Sequence, residues 1–171
     1  MTPARSLLIA MVALALLAGT RPIAGTEQFP RGLLAAEPRE GSCTIETRPV
    51  NFGTYDPVSP AGTFATGEVI FTCHRDRYGR LLRVRVDLSP GRAGSFDRHL
   101  TSDSEELLYN LYLDPDARTI WGDGSHGTET FLQPLPPNDT RIVVPVYGKI
   151  FGLQDVAGGN YSDLLQATIV F

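Results

Sequence analysis

A chain of 171 residues, 42% hydrophobic and 20% charged, has enough apolar side chains for one core of ordinary size, which excludes wholesale disorder. Its net charge of −4 argues against a general nucleic-acid binder, a class that is basic as a rule. Thirteen prolines and seventeen glycines punctuate the chain often, which suits short strands joined by turns.

The first residues, MTPARSLLIAMVALALLAGT, place Arg5 before an unbroken apolar run from Leu7 to Ala18. That run is short for a bilayer span and small residues follow it. Residues 1–25 are therefore expected to be a secretory signal peptide, cut between positions 19 and 25. No later stretch approaches twenty apolar residues, so no stable membrane insertion is expected after cleavage. Residues 26–42, TEQFPRGLLAAEPREGS, hold two prolines and two glycines without a period and read as an N-terminal extension. Export changes the meaning of Cys43 and Cys73, because two cysteines in an oxidising compartment usually pair. A bond between them would stabilise the fold by roughly 3–4 kcal/mol in the chain-entropy model.

The domain proper is expected over residues 43–171, and it reads as strands. Ile45 to Phe52 is β-rich and ends in the turn FGTYDP. Gly67 to Cys73 alternates, with Val69, Phe71 and Cys73 on one face. In LLRVRVDL, Leu82, Val84, Val86 and Leu88 point one way while Arg83, Arg85 and Asp87 point the other, the clearest period of two in the chain. Leu107 to Leu113 is apolar on both faces, as in a buried central strand. Arg141 to Tyr147 is a further strand in which Pro145 predicts an edge or a bulge. Leu164 to Phe171 is the last. With no convincing helix beyond the signal, the pattern predicts an all-β, immunoglobulin-like sandwich.

Candidate chemical sites are weak. Asp114, Asp116 and Asp123 suggest a calcium loop, but counting from Asp114 puts Thr119 at the sixth position and Ser125 at the twelfth, where glycine and glutamate are required. Asp114-Pro115-Asp116 fits a turn and Asp123-Gly124 a tight hairpin. A glycosidase pair of Glu105 or Glu106 with Asp123 needs a fixed separation across a cleft, which spacing in sequence does not establish. His74, His99 and His126 lack metal-ligand spacing. The arginine-rich run CHRDRYGRLLRVR offers a basic face for an anionic polysaccharide, or simply a solvated strand and turn. No enzyme, metal or cofactor is expected.

Three blocks then stand in register with the cysteine pair. Cys43 is followed by VNFGTYDP. LLYNLYLDPDARTIWGDG carries Tyr109, Asn110, Tyr112, Trp121 and Gly122. VPVYGKIFGLQDVAGGNYSDLLQATIVF carries Tyr147, Gly148, Gln154, Gly159, Tyr161 and Asp163. Together they resemble the spore coat protein U domain family over roughly residues 43 to 171. The resemblance implies a subunit of archaic chaperone–usher pili, bacterial surface fibres of attachment and biofilm. It implies an immunoglobulin-like fold lacking its final strand. A periplasmic chaperone lends that strand first, and the extension of another pilus subunit replaces it at the outer-membrane usher. On this view Leu165, Ala167, Ile169 and Phe171 flank the acceptor groove, and Phe29, Leu33 and Ala35 are the apolar residues of a donor strand. Pro30, Gly32 and Pro38 interrupt that donor, which suggests a minor or terminal subunit. The protein would be exported to the periplasm and then to the cell surface or an extracellular coat. The alternative is a monomeric coat or anionic-polysaccharide-binding domain that does not polymerise.

Overall fold

The computed structural model describes residues 42–74, 83–103, 105–134 and 140–171. Eight strands build two antiparallel layers. They are β1 (Ser42–Arg48), β2 (Thr63–His74), β3 (Arg83–Leu88), β4 (His99–Ser102), β5 (Glu105–Tyr112), β6 (Phe131–Pro134), β7 (Thr140–Ile150) and β8 (Ala167–Val170). The larger sheet has the order β1-β2-β7-β5-β4 and the smaller β6-β3-β8. A β-sandwich results, as the alternation in the sequence predicts.

Register gives the sandwich two ends. Ser42 pairs with His74 and Cys73 with Thr140 at what is here termed the upper end, whereas Thr63 pairs with Ile150 at the lower end. A bridge between Thr101 of β4 and Ser162 places the segment before β8 at the lower end. From there β8 climbs toward the upper end, and its antiparallel partner β3 descends from Arg83.

Period-two patterning explains the core. Val84, Val86 and Leu88 are buried and Arg83 and Arg85 are exposed, as expected; Leu82 lies outside the described residues. Val69, Phe71, Val144 and Val146 face them from the larger sheet. Trp121 sits between the layers, its indole N–H donating to the Val86 carbonyl at 2.9 Å and its ring 6.0 Å from Phe131. Each such ring contributes about 1.5–3 kcal/mol through burial alone.

Several expected strands differ in extent. The first strand stops at Arg48 instead of reaching Phe52, because Pro49 has no N–H to continue the ladder. Val50 and Phe52 turn inward instead and pack against Gly148, where an added Cβ would come within 2.7 Å of both side chains. The last strand is confined to Ala167–Val170. Pro145 lies in an inner strand, but β5 pairs with β7 only from Tyr147 to Ile150, so at Pro145 the ladder is on one side. The strands β4 and β6, four residues each, were not foreseen. Asp123-Gly124 does not form a tight hairpin, since Trp121 and Glu129, on either side of it, meet in a parallel bridge. Asp123 instead accepts the Ser125 N–H at 2.9 Å across a wider loop.

Asp87 is an exception on the outer face of β3. Its Oδ2 pairs with Arg85 at 3.0 Å, but Oδ1 is buried with no hydrogen-bond partner among the described residues. Burial raises its pKa above the ordinary carboxylate value, against the lowering pull of Arg85. A raised carboxyl favours folding only while protonated, so its cost grows as pH rises through the folded-state value. Asp87→Asn is therefore expected to melt above wild type at pH 7 and to lose that advantage near pH 3. A melting series across this range checks the sign.

Candidate functional site

A cleft of about 990 Å³ opens into the core of the sandwich. One wall is the end of β1 at Thr47 and Arg48 with the irregular segment on to Pro57, and the other runs from Val156 to Leu165 and on to Ala167. Its floor is core: Val69, Leu88, Leu107, Leu111, Val146 and Ile150 all contribute. The trough thus reaches down to core side chains that are themselves buried, between apolar wall residues such as Val156, Leu165 and Ala167 that are part-exposed. Among the described residues β8 has a strand neighbour on one side only, β3, so its other edge is unpaired.

Side-chain hydrogen bonds hold both walls. The Tyr55 hydroxyl donates to the Phe151 carbonyl at 3.1 Å and accepts the Gln154 N–H at 2.9 Å. The Gln154 amide then behaves like a strand partner for Leu108, accepting its N–H at 2.7 Å and donating to its carbonyl at 2.9 Å, with a further bond to the Phe151 carbonyl at 2.8 Å. Deeper in the cleft Tyr109 donates to Asp163 Oδ2 at 2.7 Å. Asp163 Oδ1 accepts the backbone N–H groups of Arg92 at 3.0 Å and Leu164 at 2.7 Å. Burial first, then the bond to Asp163, drives the Tyr109 pKa well above the ordinary phenol value, so its proton stays in place as donor. The Tyr161 hydroxyl donates to Ala157 at 2.7 Å and closes the wall on itself. Gly159 fits closely here, since a Cβ would stand 2.6 Å from Ser102 Oγ.

At the joint between the sheets Arg98 is completely buried. Its guanidinium donates to the Ser89 carbonyl at 2.8 Å, the Trp121 carbonyl at 2.8 Å and Asn110 Oδ1 at 2.7 Å. Asn110 passes the connection on through Nδ2 to the Phe96 carbonyl at 2.7 Å. Desolvation pushes the Arg98 pKa down to about 10, which leaves it charged at neutral pH. Gly122 lies against Thr128 and Phe96, with no room for a Cβ.

The motif residues therefore divide by place. Tyr109, Asp163, Gly159 and Tyr161 line the cleft, and Gln154 braces it. Asn110, Trp121 and Gly122 build the joint, and Tyr112 is buried farther along β5, opposite Tyr147. Gly148 receives Val50 and Phe52, and Tyr147 lies on the outer face of β7. Of the groove residues, Leu165 and Ala167 line the cleft; Ile169 packs against the core beyond the lining, and Phe171 is half exposed. Cys43 and Cys73 are disulfide-bonded at the directly opposed rung of β1 and β2. Phe29, Leu33 and Ala35 lie outside the described residues. The carboxylates take local roles: Asp114 accepts the Thr119 N–H at 2.7 Å and Asp123 the Ser125 hydroxyl at 2.6 Å, and these bonds hold both pKa values below the ordinary range. His99 lies 3.4 Å from Glu106, and His126 meets Ser125. Sequence reasoning missed Arg98 and Tyr55. Nothing in GSFDRHL marks a buried cation, and the tyrosine of FGTYDP read as part of a turn.

Comparison with known proteins agrees with this architecture. The family model for the Spore Coat Protein U domain matches residues 33–168. Protein U of Myxococcus xanthus is 32% identical over 149 residues, covering 77% of this chain and 78% of that protein. A solved structure with a similar fold is a chaperone–tip adhesion subunit pre-assembly complex from the archaic chaperone-usher Csu pili of Acinetobacter baumannii. The match has a TM-score of 0.53 at 19% identity and covers 77% of this chain but 40% of the solved chain. With the family model spanning most of its length, this chain belongs to the Spore Coat Protein U domain family.

Proposed function

We propose that this chain is an exported structural subunit of a chaperone–usher type surface fibre, and that its cleft receives an extended strand from a partner. The observation that carries the reading is the apolar trough beside the unpaired edge of β8. An added strand would satisfy that edge through main-chain hydrogen bonds and fill the trough above the core with alternate side chains. Leu165 and Ala167 are the contact residues on the β8 side. A periplasmic chaperone would fill the trough first, and another subunit's extension would replace it at an outer-membrane usher. Residues 1–25 would direct export, and residues 26–42 would be the donor, presenting Phe29, Leu33 and Ala35. Attachment and biofilm formation are the roles such a fibre would serve.

Thermal melting of the oxidised domain from Ser42 onward, with and without a peptide of residues 26–41, tests the reading. At a hundredfold excess over the dissociation constant, binding to the folded state adds about 2.7 kcal/mol. A rise in melting temperature that disappears when Leu33 and Ala35 of the peptide become aspartate is expected. A stable domain indifferent to the peptide would instead favour a closed, monomeric coat domain.

A further inference from the structure

The lower end of the sandwich carries an apolar patch that the cleft does not use. Val58 and Leu153 are exposed at 77% and 66%, and Leu108 and Phe151 are also open to solvent. They are neighbours: the Leu153 N–H donates to Ser59 and the Phe151 N–H to Leu108. Lys149, the sole lysine of the chain, places its ammonium 5.3 Å from the ring of exposed Phe64 and 5.9 Å from that of Phe151. Leu153 holds a left-handed backbone with φ of 60°. That conformation suits glycine or asparagine, and a leucine in it is strained. A braced loop thus holds a strained, apolar residue out in water, where folding gains nothing from it.

Three observations identify what covers it. The patch is continuous with the cleft, because Tyr55 lines the cleft and also bonds the 151–154 loop. The six strand pairs among the described residues are antiparallel, so a donor lying antiparallel to the climbing β8 descends and leaves the cleft at the lower end. The chain that supplied it enters its own domain at Ser42, at the upper end. The charges are complementary too. Asp56 and Asp155 flank the contact between Ser59 and Leu153, and Asp103, Glu105 and Glu106 lie where β4 passes to β5, against Lys149 and Arg92. Among the described residues the first paired rungs at the upper end carry Arg83 and Arg141.

We infer that the patch formed by Val58, Leu108, Phe151 and Leu153, with Lys149 at its margin, seats the upper end of a second copy of this chain in head-to-tail assembly. The inference rests on the strand-exchange reading and adds a body-to-body contact to it. The tether raises the local concentration of the two faces, so a weak contact suffices to set the angle between consecutive subunits.

The lone lysine makes the test direct. The exported full chain is separated into monomeric and oligomeric fractions, and each is treated with an amine-reactive ester. Mass spectrometry then follows modification at Lys149. Labelling is expected to slow several-fold in the oligomer, with the protection weakening at high salt. The double variant Val58→Ser/Leu153→Asn changes exposed positions only, and asparagine suits the backbone at 153. It is expected to restore the monomer's labelling rate in any oligomer it forms, while keeping the melting response to the 26–41 peptide. Equal labelling in both fractions, or a chain that never forms an oligomer, overturns the inference. If the peptide stabilises the domain while Lys149 stays unprotected, strand exchange survives and the body contact falls. If Lys149 is protected but the peptide has no effect, the copies associate by some other route, and both strand exchange and the head-to-tail seating fall.

Discussion

Replacing Arg98 with methionine is expected to lower the unfolding free energy by at least about 2 kcal/mol, because buried acceptors left without a donor cost ~1–3 kcal/mol each. Two acceptors, the carbonyls of Ser89 and Trp121, lose their donor at once, and Asn110 Oδ1 is left with the Leu111 N–H alone. They lie on separate stretches of chain, so the loss loosens the joint between the two sheets instead of one loop. Methionine matches the aliphatic stem in volume, which separates the hydrogen-bond effect from a cavity effect. Arg98→Lys is expected to recover little, since a compact ammonium lacks the planar fork that reaches three acceptors together. Urea denaturation of the three proteins gives the ranking directly. A methionine variant within 1 kcal/mol of wild type would mean that water satisfies those acceptors unaided.

Removing the disulfide is expected to have a comparable effect. The double variant Cys43→Ala/Cys73→Ala should lose ~3–4 kcal/mol through the freed entropy of the unfolded chain, lowering the melting temperature by roughly 10 °C. Structure adds a local component. β1 is an edge strand whose ladder partner is β2, and the bond ties it at its second residue. Without that tie β1 should fray from Ser42 downward and release Thr47, Arg48 and Val50 from the cleft wall. Amide exchange along β1 should rise more than that along β7, whereas uniform acceleration would indicate a global effect only.

How far these features were legible in the sequence depends on the kind of order each one uses. Val84, Val86 and Leu88 were legible because a half-buried strand writes a period of two into its residues. Val50 and Phe52 are strand-forming residues just past Pro49, so sequence joined them to β1, although they leave the ladder and fill the space above Gly148. Four-residue strands such as β4 and β6 are too short to show a period. Arg98 left no trace, since its partners are carbonyls drawn from distant segments and a carbonyl has no sequence signature. The cleft walls are irregular backbone held by Tyr55, Gln154 and Asp163. Periodicity is silent on such segments, and only the family motif pointed to Gln154 and Asp163.

The position of Cys43 has a mechanical consequence. Any pull arriving through the chain before Ser42 meets the β1–β2 ladder at its first rung, where an unlinked edge strand would be peeled open one hydrogen bond at a time. The disulfide stands at the second rung. Tension therefore passes almost at once into β2, at 12 residues the longest strand, which is paired with β7 along 11 rungs. Loaded from its end, that ladder must shear many bonds together instead of unzipping. The covalent link thus turns an edge strand of the larger sheet into a coupling that delivers force to its longest ladder.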